Sequence, residues 1–502
     1  MTDTIERGGA GRAPAVTTGR PGNAAHGASA SHPTGVARDS SVDAIRVVLL
    51  VAVFLLHAMM VGVSIGAEGP VLQNALEGQA WFGPVSWVVQ IMPLFFIAGG
   101  FSSFHHWRSM QSRGATASDY VRARLERLVR PAIALVVVVA GALVALALSG
   151  LAPELVATAG FRIGQPLWFL GVYLATSALV PVMVRAHERA RVLTPLALLA
   201  GVVAVDVLRF ATGADAIGFV NLLLVWLLVQ QLGFHLADGG LDRLAPAALW
   251  GVAVASLAVL VVLTTAGPYP VDMLVNLNPP TVCLVVLGVA QLALFQLARP
   301  AISGWVERAD ASRVISAVGA RAMTVYLWHL PVLILLAGLS LVANAMFGLP
   351  LPEPLSLEWW ASRPLWLSVA AAVVLPVVLV FGRFERAWRT DRDRGVDGSR
   401  DIRRARPALP IGDRRAATAA IDAVCGVAGV AVLLVFGFAP LPAVVALVLL
   451  VVALRGSASV VIQAGLGELL APYVGAGGHR TPRASRRDRA HRRSPGGVMG
   501  PQ

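Results

Sequence analysis

Long apolar runs recur along this chain of 502 residues, and they limit its possible folds more than any other feature. A run of about 18 or more apolar residues is what an α-helix needs to cross the hydrocarbon core of a bilayer, whereas a soluble domain has no use for many of them. Hydrophobic residues make up 56% of the sequence and charged residues only 14%. The sequence therefore predicts an all-α, polytopic membrane protein.

Ten predicted helices form the main body, and a pair of apolar helices follows it. The ten lie near 44–65, 84–104, 131–150, 166–184, 192–208, 217–236, 246–266, 281–298, 322–343 and 364–382. We expect five segments in all: a disordered N-terminal segment at 1–40, a ten-helix membrane domain at 41–390, a charged linker at 391–415, an apolar helical hairpin at 416–456 and a basic, largely disordered tail at 457–502.

The loops between these helices alternate in charge. Arginines cluster in 105–130, 185–191 and 299–321, and none occurs in 66–83 or 267–280. Arginine-rich short loops stay on the cytoplasmic side of a membrane. We therefore expect a multi-pass protein of the cell membrane with both termini in the cytoplasm. The formal net charge of +13 is then explained by topology and contact with membrane lipids, and nucleic acid is not expected as a partner.

Two ionisable residues, Arg46 and His57, lie within the first apolar run. An ionisable side chain at bilayer depth is costly, about 2.5–3.5 kcal/mol for Arg on insertion scales, so it usually marks function. Eleven helical steps amount to three turns plus roughly 20°, which predicts one shared face with about 16 Å between the two residues. A neutral imidazole can take a proton from a hydroxyl group, so His57 is a candidate general base. The alternative is a histidine that only hydrogen-bonds a neighbouring helix.

A second candidate group lies in SDYVRARLERLVRP at 118–131, which contains Arg122, Arg124 and Arg127. Arginines three positions apart share a helix face and can bind phosphates through bidentate hydrogen bonds. The alternative is ordinary cytoplasmic loop charge. His329, in MTVYLWHLPV at 323–332, is a further possible site residue or else a packing histidine. We find no metal-ligand spacing and expect no metal.

Five segments occur in an order that resembles the acyltransferase-3 family of integral-membrane O-acyltransferases, which includes O-antigen and macrolide acetylases. They are DAIR with His57 eleven residues after its arginine, PLFFIAGGF, RARLERLVRP, PLWFL at 166–170 and YLWHLPV, and the resemblance covers roughly 40–390. It implies ten transmembrane helices with a cytoplasmic entrance for the acyl donor. It also implies that His57 is the catalytic base, that Arg46 supports donor binding or site geometry, and that Arg122 and Arg124 handle the donor.

The expected function is therefore transfer of a short acyl group, from acyl-CoA with acetyl-CoA as the expected donor, to a hydroxyl of a sugar, glycolipid or polyketide-like acceptor. Such an enzyme transfers groups other than amino-acyl groups. An alternative from another class is a proton-coupled secondary transporter of a small molecule, since buried Arg and His also serve carriers. A membrane sensor or assembly protein without catalysis is a third. The C-terminal hairpin has no counterpart in the minimal family pattern, and we expect helix packing or partner contact from it.

Overall fold

The computed structural model describes the backbone of residues 39–67, 69–403 and 412–455, and the side chains of 39–67, 69–383 and 415–455. Almost all of the predicted N-terminal segment at 1–40, the tail at 457–502, and most side chains of the predicted linker at 391–415 lie outside the described residues.

Helices make up most of the described chain. In chain order the elements are α1 (Ser40–Met60), β1 (Val61–Gly66), β2 (Gly69–Asn74), α2 (Phe82–Val89), α3 (Met92–Ser112), α4 (Ala117–Leu148), α5 (Pro153–Gly164), α6 (Leu167–Arg189), α7 (Leu193–Thr212), α8 (Asp215–Gly218), α9 (Asn221–Ala237), α10 (Pro246–Thr265), α11 (Val282–Arg308), α12 (Ser312–Gly319), α13 (Ala322–Phe347), α14 (Leu357–Arg403), α15 (Gly412–Phe436) and α16 (Pro440–Ala453).

Eleven helical segments among the described residues are long and apolar enough to cross a membrane. Ten of them fall between Ser40 and Arg383, where α2 continues into α3, α5 into α6 and α8 into α9 within single spans. The ten-helix body predicted from the sequence is thereby confirmed. The eleventh is α15, and α16 is a shorter apolar helix. The fold is an all-α polytopic membrane protein.

The first helix is shorter than the sequence analysis predicts, and a β-hairpin follows it. Helix α1 ends at Met60 instead of near residue 65, and β1 pairs with β2 in antiparallel register from Val61–Asn74 to Gly66–Gly69. The reason is visible in VGVSIG, where β-branched residues alternate with small ones at a period of two. That pattern favours a strand, although its overall hydrophobicity extends the apolar run.

The start of α1 is fixed by Asp39. Its carboxylate accepts hydrogen bonds from the backbone N–H groups of Ser41 and Val42 at 2.9 and 3.2 Å, and Arg299 of α11 donates to it. Partial burial by itself would raise the pKa of Asp39, but the hydrogen bonds from Ser41 and Arg299 outweigh it and lower that pKa. Asp39 therefore caps α1 and ties it to α11.

The helices α3 and α9 cross in close contact because glycines face each other there. A Cβ placed on Gly100 would lie 2.5 Å from the backbone oxygen of Gln230, and one on Gly233 would overlap the backbone oxygen of Ile97. Small residues allow this approach of two helices in a membrane. Gly100 of the PLFFIAGGF segment is thus a packing residue.

The C-terminal hairpin packs directly on the ten-helix body, with α15 against α4 and α6 and with α16 against α4. Gly426 faces Leu125 of α4 at 3.4 Å, measured from an added Cβ to Cδ2. On the next turn Gly429 faces Leu450 of α16. Arg122 donates from Nη2 to the hydroxyl of Thr418 at 2.9 Å. The hairpin is therefore an integral layer of the described bundle.

Asp206 joins three elements near the end of α7. The spacing of Asp206 and Arg209 suggests an ion pair between them, but Arg209 pairs with Asp215 at 3.0 Å. The buried Asp206 carboxylate instead accepts from the Asn221 amide, the Tyr269 hydroxyl and the backbone N–H of Val282. The ion-pair expectation was wrong because neutral donors distant in sequence converge on this carboxylate.

Candidate functional site

A cavity of about 270 Å³ runs beside α1. Arg46, Leu50, Val53, His57 and Met60 all line it, at intervals of three or four residues. This spacing follows one side of an α-helix. The structure therefore places Arg46 and His57 on the same face of α1, as their separation in the sequence predicts.

His57, in the wall of this cavity, forms a hydrogen-bonded pair with His329 of α13. Nδ1 of His57 lies 2.8 Å from Nε2 of His329, and the two rings stack with centroids 5.0 Å apart. The second nitrogen of His329, Nδ1, lies 2.6 Å from the backbone oxygen of Tyr326. His329 is fully buried.

These contacts fix where the protons lie in the neutral pair. A carbonyl oxygen only accepts, so Nδ1 of His329 carries the hydrogen and donates it to Tyr326. Nε2 of a neutral His329 then accepts, and Nδ1–H of His57 is the donor to it. This assignment leaves the lone pair of His57 on Nε2, which has no hydrogen-bond partner among the described residues. A histidine in this form can accept a proton at Nε2.

Three arginines line the same cavity: Arg46, Arg124 and Arg127. Arg124 is 9% exposed, and its guanidinium donates to the Tyr120 hydroxyl at 3.0 Å and lies 5.2 Å from the Tyr120 ring centroid. Neither Arg46 nor Arg124 forms an ion pair with a carboxylate of the described chain. Cations without carboxylate partners in a mostly apolar wall favour an anionic ligand.

Arg122 does not belong to this group in the structure. Its guanidinium is directed to Thr418 of α15, and it does not line the cavity. Arg122 and Arg124 are two residues apart along α4, a rotation of about 200°, so these two arginines of the RAR segment face different parts of the protein.

A second cavity, of about 730 Å³, adjoins the first. Both cavities are lined by six shared residues: His57, Met60, Asn74, Pro166, Trp168 and Leu277. The second cavity also has polar side chains in its wall, among them Gln73, Arg162, Gln165 and Asn278. His57 thus lies where a ligand bound by the arginines of the first cavity could meet a ligand bound by the polar side chains of the second cavity.

Sequence reasoning missed the pairing of His57 with His329 and several wall residues. The two histidines are 272 positions apart, and no local pattern joins them. Trp168, in the PLWFL segment, lines both cavities. Tyr326 donates from its hydroxyl to the backbone oxygen of Pro166 at 2.6 Å, which links the YLWHLPV and PLWFL segments. In the sequence, the signal that these segments belong to one site was the order in which they occur along the chain.

One group of side chains away from the cavities could bring ligand atoms together for a metal ion. The atoms of His187, His235 and Asp238 lie within 4.8 Å of one another. However, both ring nitrogens of His187 are within 2.9 Å of other groups, Gln231 and Asp238, and Arg191 pairs with Asp238. These contacts describe a hydrogen-bonded network that closes the ends of α6 and α9.

The sequence profile of the acyltransferase domain in the acyltransferase-3 family matches residues 39–383, which is more than half of the chain. No curated protein and no solved structure matches the chain. The family is made up of acyltransferases, and this decides against the transporter alternative. The chain belongs to the acyltransferase-3 family and is a membrane acyltransferase of groups other than amino-acyl groups.

Proposed function

We propose that this protein is an O-acyltransferase in which His57 is the general base for transfer of a short acyl group from acyl-CoA, with acetyl-CoA as the donor, to a hydroxyl group. The acceptor class is a sugar, glycolipid or polyketide-like alcohol. The observation that carries the proposal is the position of His57 at the junction of two cavities, with its Nδ1 occupied by His329 and its Nε2 available.

The cavity with the arginines is the proposed donor side. Coenzyme A carries several phosphate charges, and Arg46, Arg124 and Arg127 supply cations in one wall. Arg46 lies about 16 Å from His57 along α1, estimated from the rise per residue. A donor bound with its phosphates at the arginines would therefore extend its thioester arm toward His57. In the topology expected from loop charge, this side opens to the cytoplasm.

In the proposed reaction the acceptor hydroxyl gives its proton to Nε2 of His57 as its oxygen attacks the thioester carbonyl. A carbon–oxygen bond forms, the carbon–sulfur bond breaks, and the leaving thiolate recovers the proton from the imidazolium. General acid–base catalysis of this kind typically contributes about 10²–10⁴-fold in rate.

His329 has a positioning role in this proposal. When Nε2 of His57 is protonated, Nδ1–H still donates to His329, and the Tyr326 carbonyl holds His329 in the accepting form. A hydrogen bond to a charged group is stronger than one between neutral groups. The pair would therefore stabilise the imidazolium at the moment when it forms.

The test is acyl transfer by purified protein in nanodiscs, followed by release of CoA thiol from acetyl-CoA and by capture of the acylated product. His57→Ala should lower the rate about 10²–10⁴-fold while acetyl-CoA binding is retained. His105→Ala is the matched control, since this histidine lies in α3 and lines neither cavity. Near-normal turnover by a well-folded His57→Ala protein would remove His57 from the mechanism.

Two neighbouring arginines test the donor side. Arg124→Ala should weaken acetyl-CoA binding about 10- to 150-fold, the range expected when hydrogen bonds to a charged group are lost. Lysine at position 124 should restore it only in part because it lacks the planar fork of donors. Arg122→Ala, whose native side chain contacts Thr418, should bind acetyl-CoA as the wild type does. Equal affinity of all variants would contradict the donor assignment.

A further inference from the structure

The helix α15, which follows the family-matched region, forms part of the wall of the second cavity. Ala431, Leu434 and Val435 line it. Their spacing of three and four residues puts them on one face of the helix. The acyltransferase domain match ends at residue 383, so this wall is an addition of the present chain to the family domain.

This position of α15 is fixed by close helix contacts. On α5, Gly160 and Gly164 are four residues apart, the spacing that lets helices approach closely in a membrane. A Cβ on Gly164 would lie 3.1 Å from the backbone oxygen of Leu433, and one on Gly160 would lie 3.6 Å from Cβ of Phe438. The side chains between these glycines, Phe161 and Arg162, line the same cavity as α15.

The cavity wall is chemically divided. Gln73 of β2 and Asn278 present side-chain amides that make no hydrogen bond to any described residue, and Arg162 hydrogen-bonds within the described chain only to Gln165, at 3.5 Å. These groups and His57 suit a hydroxylated head group. By contrast, α15 contributes three aliphatic side chains and no polar one.

The apolar part of the wall is open to the surroundings of the protein. Val435 is 65% exposed and Phe161 is 49% exposed, although both lie in segments apolar enough to span a membrane. Exposed apolar side chains on spanning helices face lipid, because at that depth lipid is the surrounding medium. A molecule with an alkyl chain could therefore reach this cavity sideways from the bilayer.

We propose that the second cavity is the acceptor site, that its occupant is a hydroxyl-bearing amphiphile with an alkyl chain, and that Ala431, Leu434 and Val435 of α15 bind this chain. The head group lies among the amides near His57, and the chain lies along α15. This assignment rests on the proposed function for the identity of the acceptor.

Binding is tested first, without catalysis. The probe is dodecyl β-D-glucoside with a photoreactive diazirine near the chain end, added below its micellar concentration to the full-length His57→Ala protein in nanodiscs. We expect light-dependent labelling within residues 431–435, reduced by excess unmodified dodecyl glucoside and not by glucose. Labelling spread evenly over lipid-facing helices, or unaffected by the competitor, would overturn the proposal.

Two alanines of α15 provide matched variants for transfer. Ala431 and Ala420 are both exposed and eleven positions apart, so they share roughly one face, but only Ala431 lines the cavity. Ala431→Trp should reduce the labelling and raise KM for dodecyl glucoside about tenfold, as expected when about two methylene groups lose their apolar contact. Ala420→Trp should change neither, and acetyl-CoA binding should be unchanged in both.

The outcomes separate this inference from the proposed function. If His57-dependent transfer occurs but Ala431→Trp and Ala420→Trp behave alike, or if glucose is acylated as efficiently as its dodecyl glycoside, the acceptor assignment fails alone. If residues 431–435 are labelled specifically but no His57-dependent transfer is found, the proposed function fails and the amphiphile site stands. Should Ala431→Trp not fold, Ala431→Leu and labelling of the wild-type chain decide the question.

Discussion

The position of one hydrogen decides what His57 can do. If the pair held its protons the other way round, Nε2 of His57 would carry a hydrogen and could not accept one from a hydroxyl. The Tyr326 carbonyl prevents this by accepting from Nδ1 of His329, which makes Nε2 of His329 the acceptor for His57. A backbone oxygen thereby determines the tautomer of a side chain two contacts away.

Substitutions of His329 should separate this role from simple packing. His329→Leu fills a similar volume but cannot accept from His57, so kcat should fall about 10- to 150-fold, corresponding to a lost charged-group hydrogen bond of about 1.5–3 kcal/mol. His329→Gln can accept through its amide oxygen and should recover part of the rate. KM for acetyl-CoA should change little in either variant.

Steady-state kinetics on the three proteins measure this split between kcat and KM. A leucine variant with the kcat of the wild type would mean that His329 only packs against His57. A loss of folded protein in the leucine variant alone, with normal turnover per folded molecule, would lead to the same conclusion.

The sequence was informative about single residues where the pattern is local. The shared face of Arg46 and His57 follows from helix geometry, and the cavity lining agrees with it. The sequence analysis grouped Arg122 with Arg124, although two helical steps separate them by about 200°. Which of the two faces the cavity depends on how α4 is rotated against α15 and α6. That rotation is a property of the packed bundle.

Helices in this protein make their closest contacts through glycine, and the contact of α3 with α9 is the clearest case. Gly99 and Gly100 are adjacent in the sequence but meet different neighbours. A Cβ on Gly100 would be 2.5 Å from the backbone oxygen of Gln230, whereas one on Gly99 would be 3.3 Å from Cε2 of Tyr173, a side-chain atom. The backbone of Gln230 cannot move away from an added methyl group unless the whole helix α9 moves, whereas the side chain of Tyr173 can rotate away.

Gly100→Ala should therefore destabilise the protein by about 1–3 kcal/mol, the usual cost of overpacking. Gly99→Ala should be close to neutral, because alanine is favoured over glycine in a helix by about 1 kcal/mol and offsets the tight contact with Tyr173. Thermal unfolding in one fixed detergent or nanodisc measures both. Equal losses in the two variants would show that the whole glycine pair, and not one backbone contact, sets the helix distance.

The number and location of membrane helices could be predicted because apolar length and loop charge are local properties of the sequence. The error at the end of α1 has a local cause as well: hydrophobicity continues through VGVSIG while its period changes from helical to alternating. The partners of Asp206 could not be predicted, since Asn221, Tyr269 and Val282 reach it from separate elements. Predictions failed where contacts join distant parts of the chain.

The bundle has an even number of spans in its family-matched body, which requires both ends of that body to lie on one side of the membrane. The arginine-rich loops predict that this side is the cytoplasm. In the C-terminal hairpin, only α15 is long enough within the described residues to cross a membrane, and α16 is shorter. Gly429 of α15 faces Ala446 and Leu450 of α16, and Gly426 faces Ala453, so α16 runs antiparallel to α15.

By its last described helical residue, Ala453, α16 has returned to the level of Gly426, which is eleven residues from the start of the apolar span at Arg415. At about 1.5 Å per residue, roughly 16 Å of that span remains to be retraced.

The direction of α16 nevertheless leads back toward the side from which α15 began, so we expect the tail to be cytoplasmic. Paired alkaline phosphatase and GFP fusions after residues 390 and 480 should both report the cytoplasm, and fusions within 349–356, between α13 and α14, should report the outside. A fusion after 480 that reports the outside while 390 reports the cytoplasm would mean that α16 enters the membrane beside α15 without crossing it.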